Sequence, residues 1–367
     1  MKRILLLQVA SAFLCIFVLS NNSKLMEQWA NYRLSPGSLL PSDKYRFGDL
    51  YGFSHLPEYK TKDFKASDLR QHFVQTRQAN NINLYALCDS YLKSYIKSDS
   101  LFQHADTYTS VRWDSEQKDF FLPVDKKNIL LIELVERSVR IRFRDTAFVF
   151  RHLGAAVSRK GKVSNRALNS NLETWVQTHI FNKNIEENLE FNLFDYPVFT
   201  GLRELKAQIN YNVFNRKSPD VVVSKSRNRL YYAQTTDSLQ STGSFAPVRD
   251  GEIDSLVTSL NTVYHHYRKA GFAEVYLAIV PNPVTILEPE MGSYNLLIPR
   301  IQQHPSLRMP VLDVYSKLKA LRTEPIFQRT DSHWDKAGLL AGLAQIDSAL
   351  ATQRKQPLMK GKKDPLK

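Results

Sequence analysis

Cysteine is nearly missing: Cys15 and Cys88 are the two in 367 residues, and Cys15 lies inside an apolar N-terminal run. That excludes a disulfide framework and any Cys-rich zinc site. Beyond the N-terminus no run approaches the ~20 apolar residues that a span requires, so the chain is not a multi-span membrane protein. A Gly-rich phosphate loop is absent, as is a His/Asp/Glu cluster at metal-ligand spacing; His265-His266 falls mid-helix and reads as surface. No metal and no cofactor are expected, and no internal repeat is visible. What is present is ordinary for a folded chain: 43% hydrophobic and 23% charged residues exclude wholesale disorder and coiled coil. The length allows two domains or one large elaborated one.

The N-terminus reads as an address. Lys2 and Arg3 precede residues 4–20, an uncharged stretch interrupted only by Gln8 and small hydroxyl residues. At 1.5 Å per residue that stretch reaches only ~25 Å, marginal for the hydrocarbon core. It fits a cleaved secretory signal ending near Ser20 or an uncleaved membrane anchor, a buried soluble helix being the bland alternative. Phe13-Leu14 before Cys15 lacks the small residues of a lipid-modified cysteine. The remainder is then expected to be extracytoplasmic (periplasmic), tethered to the cytoplasmic membrane by residues 4–20. The net charge of +14 is spread along the chain, with a local cluster of Arg354, Lys355, Lys360, Lys362 and Lys363. An exported chain does not meet nucleic acid, so the tail faces an anionic polysaccharide, a membrane surface, or simply water.

Four apolar runs have strand character: 83–87, 107–112, 128–135 and 274–280; a fifth, 311–314, carries Asp313, which reads as orienting a loop. Helical spacing marks 68–79, 91–102, 254–269 (with Gly271 as a stop) and 336–350. Fully apolar strands alternating with helices predict a parallel sheet covered on both faces. Residues 145–250 break this rhythm with a polar Asn-rich helical stretch at 165–192 and a short hairpin near 221–232. They read as a subdomain inserted at one sheet edge. The boundaries expected are 1–22 for the signal or anchor, 23–67 for an irregular segment, 68–350 for the α/β domain and 351–367 for a basic tail.

Two places carry chemistry. Ser90 ends an apolar strand and precedes a helix, the crevice where parallel sheets bind ligands, with its own N–H and the helix N-terminus facing a developing oxyanion. The plain alternative is that Asp89 and Ser90 cap the helix. Asp331-Ser332-His333-Trp334 lies before the last helix. A carboxylate two residues from an imidazole can fix its tautomer and leave Nε2 as a base, and Trp334 would wall that ring from water. A capped helix start with an exposed histidine is the alternative. Together they supply a nucleophile, a base and an orienting acid. Asn282, between two prolines at a strand end, is a candidate substrate contact or a turn residue. Arg329 could hold an anionic sugar carboxylate or form a surface ion pair.

On these residues the chain resembles the SGNH hydrolase superfamily, whose serine follows the first strand in a Gly-Asp-Ser block and whose Asp and His precede the last helix. The tetrapeptide 331–334 with Gly338, and the stretches 275–283, 311–314 and 128–139, look like the DHHW-type alginate O-acetyltransferase group. The resemblance covers 80–145 and 250–350. Cys88 replaces the usual glycine, the serine precedes rather than follows the His motif as in a circularly permuted relative, and Glu136-Arg137 stands in place of the Gly-x-Asn-Asp block. Arg137 would then be an alternative oxyanion donor, or a partner of Glu133 or Glu136. The resemblance implies a doubly wound α/β fold and a Ser90–His333–Asp331 triad. It implies acetyl transfer to an extracytoplasmic polysaccharide and a multi-span membrane acyltransferase as partner. A glycan esterase with the same triad and a non-catalytic glycan-binding or assembly subunit are the alternatives.

Overall fold

The computed structural model describes residues 2–34, 38–42, 47–61, 64, 68–69, 72, 79–96, 98–113, 118–145, 155–158 and 184–355. The chain divides into two compact units, Met1–Asp63 with Asn165–Val221, and Phe64–Ser164 with Val222–Lys367.

The second unit is mixed α/β. Its strands are β1 (Ile82–Cys88), β2 (Thr107–Arg112), β3 (Lys118–Phe121), β4 (Lys127–Val135), β5 (Ala155–Ser158), β6 (Val221–Val223, at the unit boundary), β7 (Leu230–Tyr232) and β8 (Glu274–Val280). Four of them form one sheet in the order β2-β1-β4-β8, and every neighbouring pair is parallel. All residues of β1 and β4 are buried, so both sheet faces are covered, as their unbroken apolar sequences require. Because β2 and β4 flank β1 on opposite sides, the strand order reverses there. In parallel sheets such a reversal is where ligands bind, outside the C-terminal ends of the strands.

The four expected strands form within a residue of their predicted ends. The fifth is reduced to a single parallel bridge between Leu277 and Val311. Asp313 accepts the Ser316 N–H at 3.0 Å and starts the helix Val314–Ala320, so it caps a helix instead of orienting a loop. The helix Asp250–Ala270 turns Leu256, Leu260, Val263 and Tyr267 into the core and ends at Gly271, whose φ of 117° suits the left-handed cap. The helix expected over 91–102 does not form. One turn, Ser90–Lys93, is followed by a short 3-10 turn at Asp99–Leu101 capped by Ser98. Serine and aspartate side chains in that stretch compete with helical backbone bonds. The helix expected over 68–79 lies mostly outside the described residues, as does the tail beyond 355.

The inserted region is divided differently from expectation: 165–221 belongs to the first unit, while β6 and β7 form the short two-stranded sheet foreseen at 221–232. β3 and β5 make a second, parallel two-stranded sheet that the pattern did not announce.

The first unit is helical. Its first helix, Lys2–Asn21, contains an 18-residue window with a mean hydropathy of 2.2. At 1.5 Å per residue it is ~30 Å long, against the ~25 Å read from the uncharged stretch alone, and so matches a hydrocarbon core. The described residues of 23–67, expected to be irregular, include regular structure. They contain the helices Ser23–Leu34 and Asp49–Ser54 and a turn at Pro57–Tyr59. Arg33 on the first of these helices, 1% exposed, donates to the carbonyls of Leu40 (3.0 Å) and, across 158 and 162 positions, of Phe191 (2.7 Å) and Asp195. Such bonds leave no local sequence pattern.

Candidate active site

Ser90 is set by the end of β1. Cys88, where the resemblance calls for glycine, is the last strand residue and fully buried, and its φ is not among the positive values in the chain. A side chain there meets no backbone penalty. Burial first, then the charge of Glu133, pushes the Cys88 thiol far above its ordinary range, so it is a packed, unreactive group.

Asp89 was expected to cap the helix; its carboxylate turns elsewhere. It accepts the Val135 N–H (3.1 Å) and the Ser138 hydroxyl (3.0 Å) and pairs with Arg142 at 2.7 Å. Its own N–H donates to Glu133 Oε2 at 2.7 Å. The last residue before Ser90 is thus clamped to the end of β4. Burial, then the Asp89 charge, pushes the Glu133 carboxyl well above the usual carboxylate range. The sequence reading missed this clamp; its one signal is a glutamate inside an otherwise apolar strand.

His333 arrives from the other side of the sequence. Gln328 donates its N–H to the His333 carbonyl (3.0 Å) and Asp335 to that of Ile326 (2.9 Å), a two-rung ladder that holds the 326–335 loop. Gly338 is required beside it, since a Cβ there would stand 2.1 Å from the Ile326 carbonyl oxygen. Trp334 was expected to wall the imidazole. Instead it is 1% exposed and donates Nε1–H to the Tyr91 carbonyl at 3.0 Å, while the Tyr91 hydroxyl donates to the Ser332 carbonyl. These two bonds lock the serine loop to the histidine loop. The rings that face His333 are Tyr91, 4.8 Å between centroids, and Tyr95, 5.9 Å.

The result is a connected triad. His333 Nε2 lies 2.7 Å from Ser90 Oγ, and Nδ1 is bonded to Asp331 Oδ1, which also accepts the His333 N–H at 2.8 Å. Ser90 and His333 are half-buried, so a small group can reach them. Such an arrangement can transfer the serine proton to the imidazole as the hydroxyl attacks a carbonyl.

The other candidates separate. The Arg137 guanidinium carbon lies 5.9 Å from the Tyr91 ring centroid and 6.0 Å from that of Tyr232, beside the triad's aromatic wall. Arg329 is exposed and bonded to the Asn228 carbonyl at 2.7 Å, bracing the β6–β7 turn. Asn282 is fully enclosed, which rules out substrate contact in this conformation. Its N–H donates to Glu136 Oε2 (2.8 Å) and its Nδ2 to Ser244 Oγ (2.9 Å), while Thr285 bonds Glu136 at 2.7 Å. Burial pushes the Glu136 carboxyl up to about 7 against these hydrogen bonds. Among the described residues of this unit, no three His, Cys, Asp or Glu side chains converge to ligate a metal.

Comparison with known protein families, with curated proteins and with solved structures gave no match for this chain.

Proposed function

We propose that the chain is an exported serine acyltransferase that O-acetylates an extracytoplasmic polysaccharide. The observation that carries this reading is the 2.7 Å approach of Ser90 Oγ to His333 Nε2, with Asp331 bonded to the opposite ring nitrogen. A serine that lies 243 positions from its imidazole and still joins it and Asp331 in a hydrogen-bonded relay at a strand's C-terminal end favours nucleophilic acyl chemistry over two independent helix caps.

In the proposed cycle His333 takes the Ser90 proton as the oxygen attacks the donor's acyl carbonyl. The tetrahedral intermediate collapses, and the donor's leaving group departs with that proton. A sugar hydroxyl then attacks acyl-Ser90, giving its proton to His333, which returns it to the serine oxygen. Asp331 stabilises the imidazolium in both halves. The Ser90 N–H opens a helical turn and has no acceptor within it, which suits an oxyanion contact. Arg137 beside Tyr91 is the proposed second source of positive potential.

The β2-β1-β4-β8 order, extended by the Val311 bridge beyond β8, supports the finer fold reading, a doubly wound sheet of SGNH type. The apolar helix Lys2–Asn21 supports tethering at the outer face of the cytoplasmic membrane. A multi-span membrane acyltransferase would hand over the acyl group, because acetyl-CoA stays in the cytosol.

The test uses the full chain in detergent micelles with p-nitrophenyl acetate, without and with an oligosaccharide acceptor. Expected are nitrophenol release, an acetyl group on the Ser90 peptide by mass spectrometry, and acetylated oligosaccharide. Ser90→Ala should remove all three and His333→Ala should slow them. Release to water alone, unaffected by the acceptor, would replace transferase by esterase. Native chain that neither releases nitrophenol nor carries acetyl on Ser90 would end the enzymatic reading and leave a glycan-binding subunit.

A further inference from the structure

The helix Pro197–Phe214 of the first unit is amphipathic the wrong way round. Val198, Leu202, Leu205, Ile209 and Val213 fall within about 80° of one another at 100° per residue. All five face outward, between 46% exposed at Ile209 and 69% at Val213. The opposite side, turned into the unit, carries Thr200, Glu204, Ala207 and Tyr211. Glu204 there holds Lys60 at 2.9 Å, and Arg203 holds Glu190 at 2.8 Å. A helix on a water-washed protein surface places its apolar stripe on the core. This one turns Thr200 (buried) and the half-buried Glu204, Ala207 and Tyr211 inward and exposes its apolar side.

The same unit says what covers the stripe. The helix Lys2–Asn21 is apolar and exposed along nearly its whole length, and only its last two residues are buried. That end is pinned to the helix Ile185–Phe194, two residues before the stripe's helix begins. Asn188 donates to the Ser20 carbonyl at 2.7 Å and Asn192 to Ser20 Oγ at 2.8 Å. If Lys2–Asn21 enters a bilayer, the place where it emerges is one helix away from the stripe. Trp29 and Tyr32, stacked at 5.5 Å on the next helix, are the aromatics that favour the headgroup level. Lys206 and, just past the helix, Arg216 and Lys217 are exposed cations that suit anionic headgroups.

We infer that the helix Pro197–Phe214 lies in the membrane interface beside the inserted Lys2–Asn21 helix, with the Val198–Leu202–Leu205–Ile209–Val213 stripe against the acyl chains. This rests on the reading of Lys2–Asn21 as a retained membrane segment and is independent of the acyl chemistry. The first unit is then a two-point mount: one helix across the bilayer and one along its surface.

The test places an environment-sensitive fluorophore on single cysteines in the full chain, in a Cys15→Ser background that leaves buried Cys88 in place. The labelled positions are Leu202→Cys, Leu205→Cys, Ile209→Cys, Leu6→Cys in the first helix, and Glu324→Cys as an aqueous reference. The chains are reconstituted in phosphatidylcholine–phosphatidylglycerol vesicles containing lipids brominated at a shallow or a deep acyl carbon. Expected is several-fold more shallow-lipid quenching at 202, 205 and 209 than at 324, with Leu6→Cys quenched by the deep lipid as well. Replacing phosphatidylglycerol by phosphatidylcholine should weaken quenching at the three stripe positions while Leu6→Cys keeps its own. Leu6→Cys quenched while the stripe labels match Glu324→Cys would overturn the inference and leave the anchor standing. Leu6→Cys itself unquenched would overturn both. Stripe labels shielded from aqueous iodide yet untouched by brominated lipid would assign the stripe to a protein partner or a second copy, and would also overturn it.

Discussion

Two polar clusters stand at the C-terminal edge of one sheet, and they look alike in sequence. After β1 come Asp89 and Ser90, and after β8 comes Asn282; each is a polar residue following an apolar strand and preceding a helical turn. In the first cluster the serine is half-buried and hydrogen-bonded to an imidazole at 2.7 Å that itself has access to solvent. In the second the asparagine is 0% exposed, and its bonds run to Glu136 and Ser244. One cluster is open to a ligand and the other closes the fold. The difference lies in what covers them, and no strand-end pattern reports it.

The widest gap between the clusters should be seen on removing the nucleophile or base. Ser90→Ala and His333→Ala are each expected to lower acyl-group release by about 10⁴-fold or more, and the double variant by little beyond either single one. Urea unfolding should move by less than about 1 kcal/mol, since neither side chain fills the core. Retained activity in Ser90→Ala would merge the two clusters into one structural class.

Asp331→Asn comes next, with an expected loss of about 10²–10⁴-fold, because an amide in that place favours the wrong imidazole tautomer. In the closed cluster the readout should exchange. Asn282→Leu removes the Nδ2 bond to Ser244 Oγ inside the core, while the backbone N–H keeps Glu136, and is expected to cost about 1–3 kcal/mol of stability. Activity per folded molecule should hold within about twofold if the cluster is purely structural. A selective fall in kcat with unfolding unchanged would instead make Asn282 part of the site.

How much of this was legible follows the range of the interactions. The sheet was readable because β1 and β4 are buried on both faces, β8 along its last four residues too, and an apolar run is a local signal. The triad was readable because Asp331 and His333 are two residues apart and Ser90 follows a strand. The role of Trp334 was not, since its Nε1–H reaches Tyr91 across 243 residues. The clamp of Asp89 by Glu133, Val135, Ser138 and Arg142 left only the glutamate within β4 as a trace. The bonds that Arg33, on the helix Ser23–Leu34, makes to the carbonyls of Phe191 and Asp195 left none. Cys88 gave a false alarm: the resemblance wanted a glycine, but the backbone there does not take a positive φ.

The closed cluster also predicts a pH dependence of stability. Burial raises the Glu136 carboxyl from 4.5 to about 7. As pH rises through 4.5 the unfolded chain gives up this proton while the folded one keeps it, so the unfolded state binds fewer protons. Stability should therefore be greatest below about 4.5 for this group and fall by about 1.4 kcal/mol per unit until about 7. Glu133, raised for the same reason, acts in the same direction. The difference between native chain and Glu136→Gln isolates the first group: their gap in unfolding free energy should change across that window and be flat outside it. A gap independent of pH would mean that the carboxyl is charged and compensated at neutrality.

The smallest effect separates two arginines that the sequence offered as equals. Arg329 precedes the Asp-Ser-His-Trp motif by one residue, yet its side chain is exposed and its Nε bonds the Asn228 carbonyl at 2.7 Å. One exposed hydrogen bond to a carbonyl is worth about 0.5–1.5 kcal/mol at most. Its backbone carbonyl, which holds Leu230 at 2.9 Å, survives any side-chain change. Arg329→Ala should therefore alter stability by less than about 1 kcal/mol and acyl release by less than about twofold. Arg137, 5.9 Å from the ring of Tyr91, has its charge at the aromatic wall of the triad. Arg137→Ala is expected to lower kcat by about 10–100-fold if its charge serves the oxyanion. Equal losses for the two variants would show that net positive charge near the motif matters more than position.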